Sequence, residues 1–218
     1  MQALIISGGN LDMKFADSYI KDYEFACTIA ADRGMKFFYE RKMTPDYIVG
    51  DFDSVEPEIL HYFQNMDENS RPVILRFEPE KDETDTELAV RVAVQQGCDR
   101  LHLLGATGTR LDHLLGNLHI LGAAMRQGVE CRMVDKNNRI RMINRGMKLR
   151  REEQYGTYVS LLPFTPQVVG LTLKGFQYPL NNAVLECYHS LGVSNEIVDE
   201  EAEISFREGV LLVVEAKD

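Results

Sequence analysis

Apolar runs of three or four residues recur through the first 145 residues, and segments with helical spacing lie between several of them. Such runs predict buried strands, because parallel strands covered on both faces are continuously apolar. Alternation of these strands with helices predicts parallel pairing and an α/β layer. The six predicted strands cover 3–6, 28–31, 47–49, 73–75, 101–104 and 131–134.

Two helices can be placed from the same pattern. Thr84 and Glu87 have the T-x-x-E spacing of a capping box and precede a periodic apolar segment, which predicts a helix start. A second helix is predicted over about 111–127. Its apolar side is expected at Leu114, Leu115, Leu118 and Leu121.

The pattern changes after about residue 145. Short strand candidates follow, separated by glycine, proline and asparagine, with no helix of useful length among them. This arrangement predicts a small all-β domain, a sandwich or partial barrel. We therefore divide the chain into an α/β domain at 1–145 and a β-sandwich domain at 146–218. The β-domain strands are expected at 155–162, 168–173, 183–186, 193–198, 202–206 and 210–214.

Composition narrows the classes of protein. With 218 residues, 44% of them hydrophobic and 27% charged, the chain can form a sizeable core. Asp and Glu exceed Lys and Arg by 34 − 24 = 10, which argues against a nucleic-acid or anionic-membrane partner. The longest apolar run, 210–214, is too short to span a bilayer. Four widely spaced cysteines without a C-x-x-C pair predict reduced thiols in a cytoplasmic protein.

Charge is unevenly distributed along the chain. Residues 100–151 contain 11 basic and 3 acidic side chains, whereas residues 78–87 contain six carboxylates. An acidic segment and a basic segment together suit a metal–polyphosphate ligand, because carboxylates bind the cation and arginines bind the phosphates. A solvated acidic turn is the alternative interpretation of the acidic run.

Polar or glycine-rich segments follow five of the predicted strands. In an open parallel sheet, the loops at the carboxyl ends of the strands share one edge, where ligands bind. We therefore expect the five segments to converge on one crevice. They are 7–10, 32–34, 50–54, 81–85 and 105–112.

Three carboxylates on these loops are candidate metal ligands. Asp51 and Asp53 are two residues apart, so an extended backbone would point both side chains the same way. Such a pair repels unless a cation or proton lies between the carboxylates, and Mg²⁺ prefers oxygen ligands. Asp85 lies in a predicted first helical turn at the same edge. The alternatives are that Asp51 caps a turn and that Asp53 or Ser54 caps the next helix. For Asp85, the alternative is that the helix dipole favours a carboxylate in the first turn.

The segment 105–112 places glycine, threonine and arginine before a predicted helix. Backbone N–H groups at a helix start bind phosphate oxygens, and the guanidinium group of Arg110 adds a bidentate hydrogen-bond donor. The segment lacks G-x-x-x-x-G-K-[ST] and is therefore not a P-loop. His113 and His119 do not form H-E-x-x-H. We expect His119 to be a packed residue or one that supports a ligand-binding residue, rather than a ligand itself.

The combined motifs resemble those of the thiamine pyrophosphokinase family, in the family's order and over nearly the whole chain. The resemblance implies an α/β catalytic domain followed by a β-sandwich, and transfer of a pyrophosphoryl group from ATP to the thiamine hydroxyl. It also implies release of AMP, a requirement for Mg²⁺, and a homodimer with active sites between subunits. The motifs are Asp32-Arg33-Gly34, Gly50-Asp51-Phe52-Asp53-Ser54, Lys81-Asp82-x-Thr84-Asp85, Gly105-x-x-Gly108-x-Arg110-x-Asp112-His113 and Ser194-Asn195-Glu196.

Carried over by position, the resemblance gives each candidate a role. It makes Asp51, Asp53 and Asp85 the metal ligands, and it adds Arg110 and Asp112 to the catalytic set. Asp112 and Asp51 are both candidates for the group that accepts the proton of the hydroxyl. The implied nucleotide-binding residues are Asp32, Thr84, Gly105, Thr107, Gly108 and Arg110.

In the β-domain, the resemblance places Tyr178 where the family has an aromatic residue beside thiamine. Ser194 and Asn195 match a second thiamine-side segment. An ordinary half-buried strand tyrosine is the alternative for Tyr178.

Three other functions compete with this one. Asp51-x-Asp53 resembles the nucleophile motif of haloacid-dehalogenase phosphatases, although that motif usually ends the first strand and this one follows the third. A diphosphokinase acting on a pterin alcohol is the nearest enzymatic alternative. A nucleotide sensor that binds ATP–Mg²⁺ without turnover is the non-enzymatic one.

Overall fold

The computed structural model describes residues 1–78, 80 and 82–218. The chain divides into two compact units, Met1–Lys136 and Asn137–Asp218. None of the helices in the described part of the chain combines the length and apolarity that crossing a bilayer requires.

The first unit alternates strands and helices as predicted. Its strands pair in parallel in the order β6-β5-β1-β2-β3-β4. The strands are β1 (Gln2–Ile6), β2 (Cys27–Ala31), β3 (Tyr47–Gly50), β4 (Val73–Arg76), β5 (Arg100–Leu104) and β6 (Glu130–Val134). The helices are α1 (Met13–Tyr19), α2 (Met35–Arg41), α3 (Pro57–Gln64), α4 (Asp85–Gln95) and α5 (Leu111–Arg126), with 3₁₀ turns at Ile20–Asp22 and Asp32–Gly34.

Helix α5 lies where it was predicted, but its buried face differs. Leu121 is buried as expected, whereas Leu115 is 58% exposed. His119 is exposed, so the first alternative predicted for it, a packed side chain, is wrong, and the second, support of a ligand-binding residue, stays a prediction. The buried positions follow the helical repeat through Asn117, one turn before Leu121, and Leu115 lies on the opposite side of the helix.

The second unit is a sandwich of two antiparallel sheets. Their strand orders are β12-β9-β14-β7 and β11-β10-β13-β8. Apolar side chains from both sheets form its core, among them Leu161, Leu171 and Val213. The strands are β7 (Asn138–Ile143), β8 (Met147–Arg150), β9 (Tyr158–Pro163), β10 (Gln167–Lys174), β11 (Leu180–Glu186), β12 (Asn195–Glu196), β13 (Glu201–Ser205) and β14 (Leu211–Ala216), and a 3₁₀ turn covers Arg151–Glu153.

The mixed architecture of a parallel α/β unit and an antiparallel sandwich confirms the predicted fold class. The boundary between the two compact units lies between residues 136 and 137 of the chain. The sequence pattern had placed it between residues 145 and 146. Strand β7 accounts for the difference, because it pairs with β14 near the end of the chain. The sequence pattern did not predict β7, because arginines alternate with its apolar residues and interrupt any continuous apolar run.

The arginines of β7 bind a buried carboxylate. Glu215 is fully buried and accepts hydrogen bonds from Arg139 (2.6 and 2.7 Å) and from Arg141. The backbone N–H of Tyr155 also donates to it, at 3.1 Å. Burial raises the pKa of Glu215, but the two guanidinium groups outweigh burial and hold the pKa below its ordinary value.

Candidate active site

The five loop segments predicted to converge line one cavity of about 570 Å³. Ser7 to Asn10 follow β1, Asp32 and Arg33 follow β2, and Asp53 and Ser54 follow β3. Thr84 to Thr86 come from the start of α4, and Gly105 to Arg110 connect β5 to α5. The cavity therefore lies at the carboxyl edge of the parallel sheet, as its topology requires. Lys81, part of the predicted 81–85 segment, lies outside the described residues.

Three carboxylates meet at this edge. One oxygen from each of Asp32, Asp51 and Asp85 lies within 4.8 Å of the others. Burial raises the pKa of Asp32, and the charges of Asp85 and Asp51 raise it further, against a hydrogen bond from Ser54. Asp32, expected from the resemblance to contact the nucleotide, thus lies within the carboxylate group.

Asp53 lies beside this group. The pKa of the Asp53 carboxyl is raised, chiefly by the charge of Asp51 and less by that of Asp85. Its backbone N–H donates to Asp51 Oδ1 at 3.1 Å. The structure therefore groups two of the predicted metal ligands, Asp51 and Asp85, with Asp32 and places the third, Asp53, next to Asp51.

The backbone between Asp51 and Asp53 is not extended, contrary to the geometry considered in the sequence analysis. Phe52 has a φ of 66°, in the left-handed region that non-glycine residues rarely adopt. Its ring is buried, and the Arg76 guanidinium lies 5.9 Å from the ring centroid. Arg76 also approaches the carbonyl oxygen of Asp51, at 3.4 Å. A tight turn, rather than strand alternation, brings the two carboxylates together.

The start of α4 positions Asp85. Thr84 is the N-cap, and its Oγ1 accepts a hydrogen bond from the backbone N–H of Glu87 at 3.2 Å, as the capping-box spacing predicted. The next residue, Thr86, is buried and forms a hydroxyl–hydroxyl hydrogen bond of 2.6 Å with Ser7 after β1. The first turn of α4 is therefore attached to β1 as well as capped.

The loop from Gly105 to Arg110 packs closely against the loop after β1. The N–H of Gly9 donates to the carbonyl of Gly105 at 2.7 Å, and the N–H of Asn10 donates to that of Thr107 at 2.8 Å. Gly105 has a φ of 66°, and a Cβ there would lie 2.5 Å from the carbonyl oxygen of Ser7. Glycine at 105 is therefore required by both conformation and space. The fold thus places the predicted phosphate-binding loop at the cavity.

Arg110 and Asp112 bind each other. Both are exposed, and Arg110 donates to the two Asp112 oxygens at 2.6 and 3.2 Å. The hydrogen bond from Arg110 lowers the pKa of Asp112 to about 2. Arg110 lines the cavity, whereas Asp112 is not among the lining residues. This pairing makes Asp112 a weak proton acceptor.

The predicted thiamine-side residues lie in the second unit. Tyr178 is 65% exposed, which excludes an ordinary half-buried tyrosine. Asn195 is buried, and its side-chain amide binds the backbone of Tyr178. Ser194 is exposed with a φ of 58°, and its N–H donates to Ser160 Oγ at 3.0 Å. The side chain of Asn195 thus connects its own segment, which also contains Ser194, to the segment that contains Tyr178.

The sequence analysis missed several residues that shape the cavity. Ser54 donates to Asp32 at 2.5 Å, and Asn117 donates to the carbonyl of Ala106 at 2.7 Å. The sequence suggested Ser54 only as a possible cap of the helix that follows it. Asn117 could have been noticed as a polar residue between apolar positions of an amphipathic helix.

The donor set fits a divalent cation such as Mg²⁺. Oxygen atoms of three carboxylates lie close enough to share one ion, and Oδ1 of Asp32 is buried without a hydrogen-bond partner among the described residues. A buried acceptor with no donor and clustered negative charge both favour a bound cation.

The carboxylates and the loop before α5 line the same cavity at the carboxyl edge of a parallel sheet. This combination is typical of α/β enzymes that act on phosphorylated substrates. The family model described as "Thiamin pyrophosphokinase, catalytic domain" matches residues 18–133, and that described as "Thiamin pyrophosphokinase, vitamin B1 binding domain" matches residues 146–211. The chain belongs to the thiamine pyrophosphokinase family.

Similar proteins support this membership. A curated thiamine pyrophosphokinase of Bacillus subtilis (strain 168) is 31% identical over 195 residues, which cover 89% of each chain. A crystal structure of thiamine pyrophosphokinase from Bacillus subtilis aligns over 100% of both chains with a TM-score of 0.87 and 28% identity. One from Geobacillus thermodenitrificans has a TM-score of 0.84 and 31% identity, covering 100% of this chain and 98% of the other.

Membership in this family makes the chain an enzyme of ATP-dependent pyrophosphoryl transfer to thiamine, as the resemblance of its motifs implied. The comparisons do not favour the phosphatase, the pterin-alcohol diphosphokinase or the nucleotide sensor.

Proposed function

We propose that the chain converts thiamine and ATP into thiamine diphosphate and AMP, with Mg²⁺ held by Asp51, Asp53 and Asp85 together with Asp32. The proposal rests on the cavity lined by Asp32, Asp53, Asp85 and the loop from Gly105 to Arg110, and on the proximity of Asp51 to Asp32 and Asp85. Bound Mg²⁺ would neutralise phosphate charge and thereby make the phosphorus atom accessible to a neutral alcohol.

The loop at the start of α5 binds the polyphosphate in this proposal. The N–H groups of Ala106, Thr107 and Gly108 donate to no acceptor within 1–78, 80 and 82–218, which leaves them available to phosphate oxygens. Arg110 adds an exposed cation at the cavity wall. Because the charge of ATP exceeds what one arginine can balance, the loop and the carboxylate-bound ion act together.

The protein's task in the transfer is alignment and proton removal. The thiamine hydroxyl must approach the β-phosphorus opposite the bond to the AMP oxygen. Asp112 holds Arg110 and has a low pKa, so we assign it to orientation of Arg110. Asp51 then remains as the candidate acceptor for the hydroxyl proton.

Thiamine recognition is assigned to the second unit. Tyr178 offers an exposed aromatic ring to a cationic, flat ligand. Ser194 and Asn195 shape the segment beside it, Asn195 through the backbone of Tyr178. We extend the proposal to a homodimer in which the carboxylates of one subunit and Tyr178 of the partner subunit serve one active site.

The substrates are small molecules and the proposed location is the cytoplasm. The net charge of −10 supports the absence of a nucleic-acid or anionic-membrane partner, because such partners select basic surfaces.

The test is the identity of the nucleotide product. The chain is incubated with ATP, Mg²⁺ and thiamine, and separately with a pterin alcohol or no alcohol, and nucleotides are quantified. AMP formed in equal amount to thiamine diphosphate, and only with thiamine, supports the proposal. ADP as the main product would show single-phosphoryl transfer, and phosphate release without an alcohol would show a phosphatase.

A further inference from the structure

Asn117 is a polar residue on the buried face of α5. It is 8% exposed and shares this face with Ile120, Leu121 and Ala124. Burial of an amide opposes folding unless the group is hydrogen-bonded. Its Nδ2 donates to the carbonyl oxygen of Ala106 at 2.7 Å, eleven residues earlier in the chain. The hydrogen bond therefore joins the helix to the middle of the loop that precedes it.

Ala106 is the centre of a series of three bound carbonyl groups. The carbonyls of Gly105 and Thr107, on either side, accept hydrogen bonds from the backbone of the loop after β1. Asn117 supplies the donor for the one between them. A carbonyl that already accepts a short hydrogen bond resists rotation toward a neighbouring anion. The three bonds together thus fix the peptide planes of a loop that lines the cavity.

We infer that Asn117 is a positioning residue for ATP: its amide holds the 105–107 peptide planes so that their N–H groups, and not their carbonyls, meet the polyphosphate. The inference rests on the proposed function, which assigns this loop to the polyphosphate. Without the amide, the Ala106 carbonyl loses its donor and its peptide plane gains freedom to rotate. ATP binding then weakens, while thiamine binding in the second unit is unaffected.

Two substitutions remove the donor in different ways. Asn117→Leu keeps a side chain of similar size without polar atoms, and Asn117→Asp keeps the shape but replaces the amide. Leu121→Ala is the matched control, because Leu121 lies one turn away on the same buried face and does not line the cavity. It should destabilise the helix at a position outside the cavity lining, and urea unfolding measures the loss of stability in each variant.

The decisive measurement is calorimetric binding of α,β-methylene-ATP, whose α–β bridge cannot be cleaved. Both Asn117 variants should bind it about 10-fold more weakly, the effect expected when a buried acceptor loses its donor. In turnover, the ATP KM should rise while the thiamine KM stays unchanged. Hydrogen exchange at the Gly9 and Asn10 amides should accelerate in these variants beyond the change seen in Leu121→Ala.

Two results would overturn the inference alone and leave the proposed function standing. Analogue binding at the wild-type affinity in both Asn117 variants would show that the loop does not need the amide. Equal weakening in Leu121→Ala would show that Asn117 acts only through the stability of the helix. If the wild-type chain itself bound no analogue, the proposed function would fall along with this inference, so the two failures are distinguishable.

Discussion

The side-chain amide of Asn195 forms two hydrogen bonds to the backbone of Tyr178, seventeen residues earlier. Its Oδ1 accepts from the Tyr178 N–H at 3.0 Å, and its Nδ2 donates to the Tyr178 carbonyl at 2.8 Å. The amide is buried, whereas the tyrosine side chain is exposed. The Asn195 side chain thus supports the backbone that carries the exposed Tyr178 ring.

Removing this amide should therefore impair thiamine binding indirectly. Asn195→Ala leaves the Tyr178 N–H and carbonyl without partners, and the thiamine KM should rise by about 5- to 10-fold, equivalent to one lost hydrogen bond. The ATP KM should not change. Asn181→Ala, at an exposed asparagine of the same unit, is the control. Steady-state kinetics with an unaltered thiamine KM would show that Tyr178 needs no such support.

The Tyr178 ring itself should matter more for thiamine than for ATP. Tyr178→Ala removes an aromatic face worth roughly 0.5–2 kcal/mol to a cationic ligand, or about 2- to 30-fold in thiamine KM. Tyr178→Phe keeps the ring and should retain most of the affinity. Tyr188→Ala, at a tyrosine that is 93% exposed, serves as the control. A rise in ATP KM of the same size would contradict the assignment.

Asp53→Asn should abolish turnover and leave folding nearly intact, because Asp53 is an exposed carboxylate that we propose helps Asp51 and Asp85 to hold Mg²⁺. We expect kcat to fall by at least about 100-fold, because removing one group that stabilises the charge of a transition state typically has an effect of this size. Chelation of divalent ions from the wild type should have the same effect, reversed by added Mg²⁺. The control is Asp67→Asn, which changes an exposed carboxylate outside the cavity and should leave kcat unchanged. If Asp53→Asn turned over at the wild-type rate in saturating Mg²⁺, Asp53 would not be part of the active site.

Mixing two defective variants tests the proposed shared site. Hybrid dimers of Tyr178→Ala and Asp53→Asn would contain one site with both defects and one with neither. Activity should therefore recover on mixing, toward a quarter of the wild-type level or more. Native mass spectrometry verifies subunit exchange. Exchange without recovery would mean that the carboxylates and Tyr178 act within one chain.

Glu215 should make stability depend on pH. Its pKa in the folded protein lies below the ordinary value of 4.5. The stabilisation is therefore complete above about pH 4.5 and is lost as the pH falls through the folded-state pKa. Glu215→Gln leaves two arginines without their carboxylate and should lower the free energy of unfolding at pH 7 by about 3–5 kcal/mol.

The control for this prediction is Glu201→Gln, which breaks an exposed pair with Lys148 (2.6 Å) and should cost less than about 1 kcal/mol. Urea unfolding across pH 3–7 measures both variants. A wild-type stability that stays constant through this range, or equal losses in the two variants, would contradict the role given to the buried ion pairs.

The strands and loops of the first unit were predictable because their signals are local. Short apolar runs marked all six strands, and the Thr84–Glu87 spacing marked the start of α4. Once parallel pairing is inferred, topology alone sends the following loops to one edge. Asp51, Asp53 and Asp85 could therefore be grouped without coordinates.

Contacts between distant residues had to come from the tertiary structure. The sequence indicated neither the support of Tyr178 by Asn195 nor that of Ala106 by Asn117, since the donor in each pair lies on an element whose orientation is set by packing. Strand β7 was missed because its two arginines interrupt the apolar pattern, and the carboxylate that they bind lies 76 and 74 residues away. Apolar periodicity reports which face of a segment is buried. It does not report which buried polar groups meet, because that depends on the register and orientation in which separate segments pack.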